Sequence, residues 1–130
     1  MKQNLALISL VVDDYDEAIH YYTSVLKFNL IEDTVMSETK RWVVIAPEGS
    51  SGTSLLLAKA STEEQKSRIG NQTGGRVFLF LHTDNIHRDY DFLKSKNVTF
   101  VREMTEESWG TVAVFADKYG NLWDLIQPKV

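Results

Sequence analysis

Asp124 stands between Trp123 and Leu125 in the otherwise apolar run Leu122 to Ile126. A carboxylate in such a run is costly to bury unless it is paired or hydrogen-bonded. It is therefore a ligand-binding or acid/base group, or else a carboxylate held by backbone or an arginine. His82 closes the run Arg76 to His82, in alternation with Phe78 and Phe80. There it serves as a proton shuttle or substrate contact, or is a solvated strand-end imidazole. His20 and His87 fall on helical segments off the apolar stripes and are expected to be exposed and inert. Trp42, in Arg41-Trp42, and Trp109, in Ser108-Trp109-Gly110, can stack a planar ligand or pack in a core or dimer contact. Trp123 is expected to pack against helices. Ser9 and Ser54 can orient a ligand or be merely tolerated in strands. Lys40, Arg41 and Arg102 can neutralise an anion or remain solvated. Glu63-Glu64 and Glu106-Glu107 are expected to be solvated faces. The chain carries no cysteine, which excludes disulfides and thiolate chemistry. It has no nucleophile elbow, no phosphate-cradling glycine motif, no HExxH and no Cys/His metal spacing.

The elements that must position these side chains occur twice. Leu10-Val-Val-Asp-Asp-Tyr-Asp-Glu-Ala-Ile19 is an apolar run, an acidic cap and a helix start, and Leu81-His-Thr-Asp-Asn-Ile-His-Arg-Asp-Tyr90 repeats it 71 residues later. Asp13 matches Asp84, Asp14 matches Asn85, Ile19 matches Tyr90 and Tyr22 matches Leu93. A repeat this long that occurs only twice is no solenoid. Two such modules side by side can enclose one site.

Periodicity fills in each copy. Leu5 to Val12 reads as a strand. Asp14 caps a helix, with Glu17 placed as in a capping box, and Tyr15, Ala18, Ile19, Tyr22, Val25 and Leu26 form its stripe. Phe28 to Val35, Arg41 to Ala46 and Thr53 to Ala60 follow as strands, with Pro47 and Glu48 to Gly52 as a turn. Ser61 to Gly75 is polar and suits a linker, with a short helix within Thr62 to Arg68. The second copy reads Arg76 to His82 as strand, then a helix on Ile86, Tyr90 and Leu93 with Asn97 at its C-terminal cap. Val98 to Arg102, Thr111 to Ala116 and Leu122 to Gln127 are its remaining strands, the last two joined by Lys118 to Asn121. Alternation sets Ile8, Leu10 and Val12 against Leu7, Ser9 and Val11, and Trp123 and Leu125 against Leu122, Asp124 and Ile126. One set meets the helices; the other lines a cavity or interface.

Bulk properties narrow the class. At 130 residues, with 43% hydrophobic and 25% charged residues, the chain suits one compact globular domain. No apolar run approaches 18 residues, and no secretion signal is visible, so a membrane is not expected and a cytoplasmic location is. A net charge of -4 without a basic stripe disfavours nucleic acid as a partner.

The segments Leu10 to Leu26 and Trp109 to Leu125, together with the paired βαβββ order, resemble the vicinal oxygen chelate superfamily, which includes glyoxalase I, extradiol dioxygenases, and fosfomycin- and bleomycin-resistance proteins. The second segment resembles the family's strand, Asp-Pro-x-Gly-Asn turn and acidic strand, with Asp117-Lys118-Tyr119-Gly120-Asn121 lacking the proline. The resemblance implies an α+β fold: two βαβββ modules forming a cup-shaped, mostly antiparallel sheet with helices outside. The whole of 1–130 is read as a single glyoxalase/bleomycin-resistance-like domain, with module one about 1–60, a linker about 61–74 and module two about 75–130. It also implies a homodimer. In metal-dependent members, His or Glu ligands occupy positions that fall near Leu7, Leu56 and Phe78 and on Asp124. Leu and Phe have no lone pair to donate, and a catalytic metal needs about three protein ligands. No cofactor is expected; a divalent metal would require a different ligand assignment.

Three functions follow as expectations. The first is metal-free binding of a small, partly apolar or aromatic molecule, with Leu7, Ser9, Trp42, Ser54, Leu56, Phe78, Phe80 and Trp109 lining the site and Asp124 or His82 giving polar direction. The second is a lyase, isomerase or dioxygenase, metal-dependent or using Asp124 as base with His82. The third is a non-catalytic dimerisation module.

Overall fold

The computed structural model describes residues 1–129. Its elements run β1 (Leu7–Val12), α1 (Tyr15–Ser24), β2 (Asn29–Val35), β3 (Arg41–Ala46), β4 (Ser54–Lys59), α2 (Glu63–Lys66), β5 (Val77–His82), α3 (Ile86–Ser95), β6 (Thr99–Glu107), β7 (Gly110–Ala116) and β8 (Leu122–Pro128). The chain is an α+β fold of two compact units, Met1–Ile69 and Gly70–Val130, each built on a four-stranded mixed sheet. The helices α1 and α3 begin and end 71 residues apart, so the sequence repeat is also a structural one.

In the first unit the strand order is β1-β4-β3-β2. β1 runs parallel to β4, and the other two pairings are antiparallel. Asp14 caps α1, its Oδ2 accepting from the Glu17 amide at 2.9 Å. Ala18 and Tyr22 on α1 are fully buried, as are Leu10, Val12, Val43 and Ile45 on the strands. The register places Leu10 beside Leu57 and Leu57 beside Val43, so these residues share the face that α1 covers. Each large apolar side chain so removed from water contributes about 1.5–3 kcal/mol. The sequence places Phe28 in β2, but the strand starts at Asn29. Lys27 takes a left-handed φ of 63°, and the Phe28 amide donates to the Tyr22 carbonyl at 2.9 Å. The Phe28 ring thereby closes under α1, stacked on Tyr22 with centroids 6.2 Å apart.

The second unit repeats the order as β5-β8-β7-β6, again with one parallel and two antiparallel pairings. Asn85 caps α3 by accepting from the Arg88 amide at 3.1 Å. Asn97 lies just past the cap residue Lys96, at a φ of 63°, the left-handed conformation that ends many helices. β6 extends to Glu107, five residues beyond the span read from sequence. Two irregularities in its pairing with β7 hide the alternation there. Trp123 lies on the α3 side of the sheet, 2% exposed, stacked on Phe115 with centroids 5.9 Å apart. Gly70, at a φ of 72°, lies against the β7–β8 turn so closely that a Cβ would stand 1.8 Å from the Tyr119 carbonyl oxygen.

Candidate functional site

In the first sheet, five of the expected ligand-facing residues share the face turned away from α1. Leu7 pairs with Ser54, and Ser9 pairs with Leu56, which pairs in turn with Val44. Trp42 lies two residues before Val44 and therefore on the same side. Leu7, Trp42, Ser54 and Leu56 are half-buried, and Ser9 is exposed. The surface they make is apolar and aromatic with two hydroxyls, suited to a flat molecule that carries few polar groups.

Arg41, the neighbour of Trp42, points the other way. Its guanidinium grips Asp33 through Nε at 3.1 Å and Nη2 at 2.7 Å, and it reaches Asp16 on α1 through Nη1 at 2.9 Å. It also sits over the Tyr15 ring, 5.3 Å from the centroid. The hydrogen bonds from Arg41 hold the Asp33 carboxyl below its ordinary value, and the two carboxylates raise Arg41 further. Arg41 is thus a strut between β2, β3 and α1, on the helix side of the sheet.

In the second sheet, one row crosses all four strands on the face turned away from α3: Phe80 beside Asp124, Asp124 beside Val114, Val114 beside Arg102. Neighbouring strands stand about 4.8 Å apart, so Phe80 and Asp124 are cross-strand neighbours on one face of the sheet. Phe80 is 64% exposed. Burial pushes the Asp124 carboxyl up from its ordinary value, and the charge of Arg102 draws it partly back. No described side chain hydrogen-bonds that carboxyl; Arg102 Nη2 is instead held by Thr105 Oγ1 at 2.9 Å and Glu107 Oε1 at 2.8 Å.

His82 lies on the same face but one row along, beside Ile126, and is exposed. Phe78 falls at a register irregularity between Val77 and Leu79 and is half-buried. Trp109 is in the β6–β7 hairpin, outside the strand rows and 52% exposed. Its carbonyl accepts from the Lys129 amide at 3.1 Å. His20 and His87 are exposed on their helices.

A metal fits these residues poorly. Of the four positions that the resemblance points to, Leu7, Leu56 and Phe78 offer no lone pair and Asp124 offers one carboxylate. Among the described residues, no three His, Asp or Glu side chains cluster as a metal site would require.

The buried polar centre of the second unit is a different carboxylate, which is not among the candidate site residues above. Asp117 is 5% exposed. Its Oδ1 accepts from the amides of Tyr119, Gly120 and Asn121 at 3.0, 3.1 and 3.0 Å. Its Oδ2 accepts from Asn121 Nδ2 and Trp123 Nε1, both at 3.0 Å. The Asp-x-x-Gly-Asn spacing is the signal for it. Every acceptor site is spent on the turn, so Asp117 positions β7 and β8 and offers nothing to a ligand.

Comparison with known proteins agrees with this architecture. The Glyoxalase/Bleomycin resistance protein/Dioxygenase superfamily matches residues 4–125, and the chain belongs to it. An uncharacterized protein of Shewanella frigidimarina (strain NCIMB 400) is 60% identical over 128 residues, covering 98% of this chain and 95% of its own length. Among solved structures, UcmS2 is 29% identical with a TM-score of 0.83, covering 97% of this chain and 98% of its own. TnmS3, an antibiotic binding protein from Streptomyces sp. CB03234, is 27% identical with a TM-score of 0.76, covering 99% and 98%.

Proposed function

We propose that this member of the superfamily binds a small, partly apolar or aromatic molecule on a sheet face turned away from its helices, without a metal. The observation that carries this reading is the shared face of Leu7, Trp42 and Leu56, with Ser9 and Ser54 beside them. A soluble protein has reason to gather half-buried apolar and aromatic side chains on one sheet face when something apolar is to cover them. The likeness to TnmS3, an antibiotic binding protein, supports the same class of ligand. The test is a thermal-shift titration of chelator-treated protein. Ni, Zn, Mn, Fe(II) and Mg are screened first, then a panel of planar aromatic antibiotics and metabolites, with Asp124→Ala alongside. Binding at a hundredfold excess over Kd adds about 2.7 kcal/mol, a shift of several degrees for a domain of this size. A shift with an aromatic compound and none with metals is expected. A metal-specific shift that vanishes in Asp124→Ala would replace this reading with a metalloenzyme.

A second reading, metal-free catalysis with Asp124 as general base, draws support from the burial that raises its carboxyl above the ordinary value, the direction in which a carboxylate becomes a stronger base. Product formation from a compound found to bind separates the two. A homodimer is part of the proposal. β2 is an edge strand exposed along its length, with Leu30, Ile31 and Val35 open to solvent. Light scattering at the mass of two chains is the expected result.

A further inference from the structure

We propose that the Phe80–Asp124 pair on the second sheet takes a positively charged nitrogen borne by a flat ring system. The inference rests on the reading above that a sheet face turned away from the helices takes a flat molecule, and it names the chemistry that the second unit's own face would take. Parallel register sets Phe80 beside Asp124, about one strand spacing away. Phe80 presents a large apolar face at 64% exposure. Asp124 is half-buried, and no described side chain donates to it. A carboxylate placed this way holds a charge that neither water nor protein fully compensates.

A cation satisfies both groups at once. It pairs with the carboxylate through a charge-assisted hydrogen bond and is attracted to the face of the neighbouring ring. The flat body attached to it lies over Phe80. Arg102, the cation in the same row, lies beyond Val114 and is already committed to Glu107 and Thr105. It therefore does not turn the site toward anions. An anionic ligand would meet Asp124 with a like charge, and a neutral one would leave the half-buried carboxylate without a hydrogen-bonded partner.

Equilibrium dialysis at physiological ionic strength tests this with three flat probes: proflavine as the cation, acridone as the neutral body and anthraquinone-2-sulfonate as the anion. Proflavine is expected to bind about tenfold more tightly than acridone, and the sulfonate more weakly than either. Asp124→Asn, which keeps the shape, removes the preference for proflavine and leaves acridone unchanged. Phe80→Ala weakens both. Asp13→Asn, an exposed carboxylate elsewhere on the chain, changes neither and controls for general attraction to an acidic protein. Circular dichroism melts confirm that each variant is folded. Equal binding of proflavine and acridone, or an Asp124→Asn variant that keeps the preference, overturns the inference while the binding reading stands. Failure of all three probes to bind overturns both.

Discussion

Trp123 Nε1 donates to Asp117 Oδ2 at 3.0 Å, joining the first residues of β8 to the last of β7 through the turn between them. Asp117 accepts four further hydrogen bonds from that turn. Replacing it by alanine leaves several buried donors unmatched, at about 1–3 kcal/mol for each that water cannot reach. Asp117→Ala is expected to cost about 3–5 kcal/mol, the upper range for a single substitution. Urea unfolding followed by tryptophan fluorescence measures it. A loss below about 1 kcal/mol would mean that the turn holds its shape without the carboxylate.

Arg41 gives a stability term with a pH signature. Its hydrogen bonds depress the Asp33 carboxyl below the ordinary 3.8. A depressed carboxyl stabilises the fold above the unfolded value, and that contribution is lost as pH falls through the lower folded value. Arg41→Met is expected to lower stability by about 1 kcal/mol at neutral pH, since both partners remain partly wet. The gap to wild type should close on acidification below 3.8. Paired melts across the acid range decide it; a gap that stays constant would assign the loss to packing over Tyr15 instead.

The repeat predicts paired effects. Asp14 and Asn85 hold the same station, each accepting from the amide three residues on. Asp14→Ala and Asn85→Ala should each cost about 1 kcal/mol, and the double variant close to the sum. Thermal unfolding of the three variants is the measurement. A double variant far from additive would show that the two units do not respond independently.

What was legible in the sequence was whatever follows from period and caps. The 71-residue repeat, both N-caps and the bounds of β3 are local properties, set by residues within one turn or one strand. Alternation sets Leu7 and Ser9 on one face of β1, whereas the resemblance implies that Leu56 and Trp42 line the same cup, and only the register brings Ser54, Leu56 and Trp42 to that face. The partners of Arg41, Asp117 and Arg102 were not legible. Arg41 reaches Asp16 across 25 positions, and only the folded register brings Asp124 and Arg102 into one row. The end of β6 was lost for a related reason: pairing irregularities break the alternation that would have marked it.

Asp124 should cost the fold stability, and that cost separates a binding residue from a structural one. Burial raises its carboxyl above the ordinary 3.8. A raised carboxyl stabilises the fold below the unfolded value, and the benefit is lost as pH rises through the higher folded value. At neutral pH the charged form is therefore strained, and Asp124→Asn is expected to raise Tm. At about pH 3 both states are protonated and the two proteins should melt together. Calorimetric melts of both proteins from acid to neutral pH test the sign. A carboxylate held by backbone or arginine would give the opposite result, with the asparagine variant melting lower at neutral pH. Adding proflavine should then reverse the order, because wild type gains the binding term that the variant lacks. A residue that weakens the free protein and strengthens the complex is spending stability on recognition.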